Sequence, residues 1–310
     1  MTFFSRLALR LVMGCAGCIL FAAALRAQDA SDDSGNSEWF KHIFTSGEYT
    51  ADETYVGESA VSSGHRHVED FDEHDIVLRL VETPRISLGV LRFGFEWEHF
   101  AFGFPTKTPI PNTLQSASFV LGIDTQWSDS ILIRIETQPG FYGTNNLGWN
   151  DFNMPFIIGG TYIYNPSLQI VLGVSVDVER KYPVIPGAGF RWKIANNWVL
   201  NAVMPTPRLE YTPNKSVTLY GGADIKETNF RTPDDFGNTS GTRSRLNHAV
   251  LTYNEVRAGV GADWKIWNFL TLTAEVGYQP FRDFDYYRTD LRFHQDGSAP
   301  YGMISAHGAF

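Results

Sequence analysis

Apolar and polar side chains alternate with a period of two over most of the chain. Between Glu255 and Ile266, the residues Val256, Ala258, Val260, Ala262, Trp264 and Ile266 alternate with Glu255, Arg257, Gly259, Gly261, Asp263 and Lys265. The next stretch sets Leu270, Leu272, Ala274, Val276 and Tyr278 against Thr271, Thr273, Glu275, Gly277 and Gln279. Residues 167–179 do the same, with Val171 the one apolar residue on the polar side. A period of two predicts strands with one greasy face, and no period near 3.6 competes with it. Similar strands are expected at 86–98, 114–126, 129–138, 152–164, 187–194, 197–204, 207–212, 216–230 and 299–310, about twelve in all. Weaker alternation at 74–82 and near 54–62 would raise the number to fourteen.

The links between strands decide where the greasy faces look. Tight turns near 128–130, 165–166, 195–197, 213–215 and 267–268 alternate with longer polar stretches near 139–151, 180–186, 231–245 and 282–298. Short turns at one end and long loops at the other are the habit of transmembrane barrels. The short link at Pro205–Thr206 breaks that rhythm. Trp127, Tyr164, Trp198, Trp264 and Trp267 stand beside the tight turns, as an interfacial girdle would. A soluble sandwich would instead use them to plug its ends. The expected fold is all-β: a transmembrane antiparallel up-and-down β-barrel of about 12 strands, within a range of 10 to 14. In hydrocarbon such a sheet must close, because every unpaired backbone amide costs several kcal/mol.

The amino terminus places the chain in the envelope. Arg6 and Arg10, an apolar run over 11–25 and small residues to Ala27 have the layout of a signal peptide, expected to be cut after 27. Val12–Cys15 loosely imitates a lipid-attachment box, but the apolar run continues past it. The domains expected are therefore 1–27 signal peptide, 28–73 an acidic, weakly structured N-terminal segment, and 74–310 the barrel. Cys15 and Cys18 both lie in the leader, so the barrel has no disulfide to rely on. Without Arg6, Arg10 and Arg26, the 25 basic residues fall to 22 against 34 acidic ones, a net charge of −12. That excess argues against nucleic acid as a partner. The polypeptide ends on Phe310, with Gly308, Ala306, Ile304 and Gly302 on the same side of the last strand, an arrangement expected to serve as the assembly signal for the bacterial outer membrane.

Charged residues on the polar side of the strands are expected to face a lumen: Arg92, Glu96, Arg134, Glu136, Arg191, Asp224, Arg257 and Glu275, with Glu98, Lys193, Lys226 and Glu255. They would either select solutes in an open bore or pair and fill a narrow one. Arg282, Asp283 and Asp285 are expected to form a rim cluster. His65, His67 and His74 lie among Glu69, Asp70, Asp72, Glu73 and Asp75, a composition that can hold a divalent cation. With no strict ligand spacing, a solvated loop is the favoured reading there, and no metal or cofactor is expected. His99, His248 and His307 are isolated, so no catalytic group is assigned.

Several proline-rich pieces carry a resemblance. Pro139–Tyr142, then Pro183, Val184, Ile185, Pro186, Gly187, Gly189 and Trp192, then Met204, Pro205, Pro207, Arg208, Leu209 and Tyr211, then Arg282, Asp283, Asp285 and Tyr286, and finally Phe310 together resemble an uncharacterised family of bacterial outer-membrane β-barrel proteins, catalogued as a domain of unknown function. The resemblance spans roughly 86–310 and implies location and fold. It brings no catalytic residue. The functional expectation is a porin-like barrel that passes or binds small polar solutes. A structural or surface-binding barrel with a filled lumen is the alternative, and an outer-membrane lipid or glycan hydrolase the remote one. Outer-membrane lipids, lipopolysaccharide and the barrel-assembly machinery are the expected partners.

Overall fold

The computed structural model describes residues 46–105 and 108–310. It contains β1 (Gly47–Ser63), β2 (Arg66–Glu82), β3 (Arg85–Ile86), β4 (Gly89–Gly103), β5 (Thr113–Ser128), β6 (Ile131–Thr137), β7 (Gly140–Gly143), β8 (Phe152–Asn153), β9 (Phe156–Asn165), β10 (Leu168–Val176), β11 (Val184–Ala195), β12 (Trp198–Asn201), β13 (Arg208–Asn214), β14 (Val217–Arg231), β15 (Val250–Trp267), β16 (Leu270–Tyr286), β17 (Leu291–Asp296) and β18 (Ala299–Ala309). Every pairing is antiparallel, and β1 returns to β18 from Glu48↔Ala309 to Val56↔Tyr301, which closes the sheet. Among the described residues no helix is long and apolar enough to cross a membrane.

The wall has 14 strands. β6 and β7 are one wall strand interrupted at Gln138–Pro139, β8 and β9 one interrupted at Met154–Pro155, and β17 and β18 one interrupted at Gly297–Ser298. Proline has no N–H for the ladder, but its carbonyl still pairs: Phe119 N donates to Pro139 O at 2.9 Å and Gln138 N to Pro155 O at 3.0 Å. β3 belongs to the turn before β4 and adds no stave.

The two staves beyond the expected twelve are β1 and β2. The barrel thus begins at Gly47 rather than at residue 74, and the acidic stretch 47–73 is wall, not a segment preceding it. Of the histidine-rich stretch, His67 and His74 lie in β2 rather than in a solvated loop, and His65 lies in the exposed turn before it. His74 stands on the outer face beside Glu53 at 2.8 Å, and His67 reaches Asp296 at 3.4 Å. The expected signal peptide and the rest of the chain to residue 45 lie outside the described residues.

Gly47 and Phe310 exchange two backbone hydrogen bonds of 2.9 Å, and the Phe310 ring lies over Gly47, where a Cβ would meet ring carbon at 2.6 Å. At this near end the turns 129–130, 166–167, 196–197, 215–216 and 268–269 are two residues long, and the turn 83–88 is longer. The far end carries 104–105 and 108–112 and the loops 144–151, 177–183 and 232–249, with short links at 64–65 and 287–290. Outward-facing Phe119 (62 % exposed) and Leu172 (61 %) stand in a band with Phe95, Ile158, Leu219, Val260 and Val276. Trp127, Trp198, Trp264 and Trp267 are all exposed at the near-end rim. Apolar side chains outward and charges inward invert a soluble protein, and a bilayer is the solvent that suits such a surface.

Candidate functional site

Strand register places the lumen-facing residues, since paired residues share a face. Arg92, Glu96, Arg134, Glu136, Arg191, Asp224, Arg257 and Glu275 all fall on the inner side. The rim trio separates. Arg282 is fully buried inside, while Asp283 and Asp285 sit on the outer face of β16, beside Arg292 at 2.6 Å and Lys181 at 3.9 Å. The cause is a bulge: Val256 pairs with Phe281 but Ala258 with Tyr278, so Gln279 and Pro280 oppose one residue and the inward parity shifts from odd to even.

From the far end inward the lumen is filled in two layers. The first is a hydrophobic plug in which Phe71, Phe100, Phe102, Phe230, Tyr253, Phe284, Tyr286 and Phe293 pack with Val61, Leu114 and Leu251, all 4 % exposed or less. Phe102 meets Phe284 edge-on with centroids 5.2 Å apart, and Phe100 meets Tyr253 at 4.9 Å. These buried side chains pack the far end of the lumen. The second layer is a buried ion network. Arg282 Nη1 lies 2.9 Å from Glu73, Arg257 Nη2 lies 3.0 Å from Asp75 and 2.7 Å from Glu255, and Lys226 Nζ lies 2.7 Å from Glu98 and 3.2 Å from Asp75. Tyr253 OH donates to Glu73 at 2.7 Å, Gln279 Nε2 to Glu255 at 2.8 Å, and Arg282 Nη2 to Ser59 at 2.7 Å. Charges taken out of water are tolerable only when paired and hydrogen-bonded in this way.

Toward the near end the same side of the barrel continues with ion pairs. Arg79 holds Glu96 and, at 3.0 Å, Glu136; Arg92 holds Glu136 at 3.1 Å and Glu48 at 3.0 Å. Glu275 accepts from Tyr220 at 2.6 Å and from Tyr301. β9, β10 and β11 are different. Their inner faces read Ile157, Gly159 and Thr161, then Val171, Gly173 and Ser175, then Ile185, Gly187 and Gly189. Val171, the exception to the alternation of its strand, is therefore a lumen residue.

Between these two walls lies a cavity of about 850 Å³, a vestibule at the near end. Asp124 and Arg134, paired at 2.6 Å, stand on one side of it, Gly159, Val171 and Val203 on the other, and the 85–90 turn bounds it below. Farther out, Asp177 accepts from Asn153 at 3.0 Å and from Asn229 at 2.6 Å, where upper β14 approaches β5 and β7 across the barrel.

Sequence reasoning named Glu73 and Asp75 only within the histidine-rich acidic stretch and not as lumen residues, and it missed the whole plug. A parity count along β4 carries the signal: Arg92, Gly94, Glu96 and Glu98 share a face with Phe100 and Phe102. Among the described residues no group of three or more His, Cys, Asp or Glu side chains is placed to hold a metal ion.

A profile described as "Domain of unknown function (DUF6268)" matches residues 110–299. No curated protein matches the chain. Among solved structures, an outer-membrane channel from Pseudomonas putida F1 is similar over 84 % of this chain and 95 % of its own, at 10 % identity and a TM-score of 0.42. The porin KdgM, solved with oligogalacturonate, covers 86 % and 99 % at 10 % identity and 0.35, and OprB of Pseudomonas putida 88 % and 96 % at 6 % and 0.37.

Proposed function

Since the chain belongs to the family of the domain of unknown function DUF6268, which assigns it no activity, we propose from its geometry that it is a porin-like channel of the bacterial outer membrane for small solutes. The observation that carries this reading is the vestibule: a bilayer-suited barrel that keeps about 850 Å³ of its interior unfilled, with the Asp124–Arg134 pair inside. A barrel serving only as an anchor has no use for such a space. The short-turn end with Phe310 faces the periplasm and the long loops face outward, following the habit of transmembrane barrels. The solute's polar part meets Asp124 and Arg134, and the path is shut at rest, because the outer end is packed.

Refolded protein in planar bilayers is expected to give small single-channel steps separated by long closed periods. Liposomes carrying it should admit small zwitterions and sugars faster than empty ones. Inserted, protease-resistant barrels that neither conduct nor admit any of these solutes would end the channel reading.

The plug and the ion network favour a second reading, a filled barrel whose loops bind a surface partner or lipopolysaccharide. In that case capture of lipopolysaccharide by the refolded protein is lost when 234–244 is replaced by a short glycine-serine link, and no conductance is found in either form.

A further inference from the structure

The wall between β11 and β14 is incomplete. β12 has four residues and β13 seven, and the ladders around them stop early. Ala202 N donates to Phe190 O at 2.8 Å, Ala223 N to Pro207 O at 3.0 Å and Ile225 N to Pro205 O at 3.1 Å. Beyond these bonds, among the described residues, neither 184–189 of β11 nor 226–231 of β14 pairs with a strand on the facing edge. Backbone groups alternate sides along a strand, and Phe190 O points into the gap, so the groups of Ala188, Pro186 and Val184 do too. Pro186 brings no N–H to that edge, which is where a sheet tolerates proline.

The gap lies at hydrocarbon depth. The rows of Ala188 and Pro186, on either side of Gly187, carry Leu172 and Ile158 outward, both exposed aliphatics. Non-ladder backbone at that depth is tolerated only where it lines a cavity or is covered by protein. Above the gap the closure is made by side chains of the 177–183 loop: Arg180 to Glu227 at 2.7 Å, Glu179 to Arg231, and Asp177 to Asn229 at 2.6 Å. Below it, Val203 both adjoins β11, against Gly189, and lines the vestibule. Behind it, Gly159, Gly173 and Gly187 stand in register across three strands, a smooth uncharged track from vestibule to gap.

We propose that this gap is a side exit by which a small solute with an apolar body passes between the vestibule and the bilayer interior, the 177–183 loop acting as its latch. The proposal rests on the channel reading and specifies its route and solute class. A purely polar solute leaving here would enter acyl chains without hydrogen-bond partners, which is costly, whereas an apolar body loses nothing.

Gly187→Trp fills the gap from the lumen side. A Cβ there meets nothing nearer than the Gly173 carbonyl at 4.0 Å, so the wall keeps its shape. The probe is N-phenyl-1-naphthylamine, taken up slowly by cells whose lipopolysaccharide leaflet hinders it. The original chain is expected to speed uptake several-fold, Gly187→Trp to abolish the gain, and Arg180→Gln, with its latch loosened, to increase it. If the original chain admits sugars and zwitterions into liposomes but uptake of the dye is the same with and without Gly187→Trp, the side exit is overturned and the channel stands. If it admits none of these solutes, the channel reading itself falls. Independently of variant folding yield, a bimane label on Ile185→Cys, in a chain with Cys15 and Cys18 replaced by serine, is expected to be quenched by brominated acyl chains nearly as well as one on outward-facing Leu172→Cys. A label as unquenched as one on inward-facing Thr161→Cys would equally overturn the exit.

Discussion

Arg282 shows how much a single inward side chain can carry. Its guanidinium is fully buried, pairs with Glu73 and lies 4.4 Å above the Phe71 ring, so it fastens the ion layer to the plug. Arg282→Met leaves the Glu73 carboxylate buried and short of a cation, and breaking such a pair costs about 3–5 kcal/mol. The urea midpoint of the refolded barrel should fall accordingly, and Arg282→Met with Glu73→Gln should recover part of the loss. A double variant no more stable than the single would show that the pair is not the source. The sequence made Arg282 look like a rim residue beside Asp283 and Asp285. Strict alternation from Glu275 and Gly277 puts Asp283 inside and Arg282 outside, and only the bulge at Gln279–Pro280 reverses them. A bulge is one extra residue, and periodicity has no means of seeing it.

At the scale of strands, inward glycines that look alike in sequence do different work. In β4, a Cβ on Gly94 would meet Leu80 O at 2.0 Å, so β2 and β4 approach each other only because that position is bare. In β11, Gly187 faces open space. Gly94→Val is therefore expected to abolish the folded, heat-modifiable band on electrophoresis, while Gly187→Trp keeps it; equal folding of both would contradict the packing described. The strands themselves were legible where one face met lipid and the other a polar interior, as in β10, β15 and the body of β16. β1 and β2 were nearly invisible. Their outer faces turn polar at the far end with Glu53, Asp72 and His74, and their inner faces turn apolar with Val61 and Phe71, so the alternation changes sense within one strand.

Taken whole, the barrel is a filled cylinder on one side and a hollow on the other, and the hollow opens at one end. The plug and the ion layer beneath it fill the far end of the lumen. Phe100→Ala with Phe284→Ala should cost about 3–5 kcal/mol per ring and raise open-channel conductance several-fold in planar bilayers. Unchanged conductance would place the barrier elsewhere. The barrel and the two-residue turns of the near end were readable from the chain, whereas the stretch 282–298, which reads as one long loop, is mostly strand with a short link at 287–290. The vestibule and the plug were not readable, because whether an aromatic looks at lipid or into a lumen depends on counts of parity through every interruption. The pairing of β1 with β18 has a further consequence. They are the first and last staves of the ring, so a nascent product halted before residue 299 would lack the ladder from Glu48↔Ala309 to Val56↔Tyr301 that joins its two margins. Closure of the ring therefore waits on β18, whichever strands have formed before it.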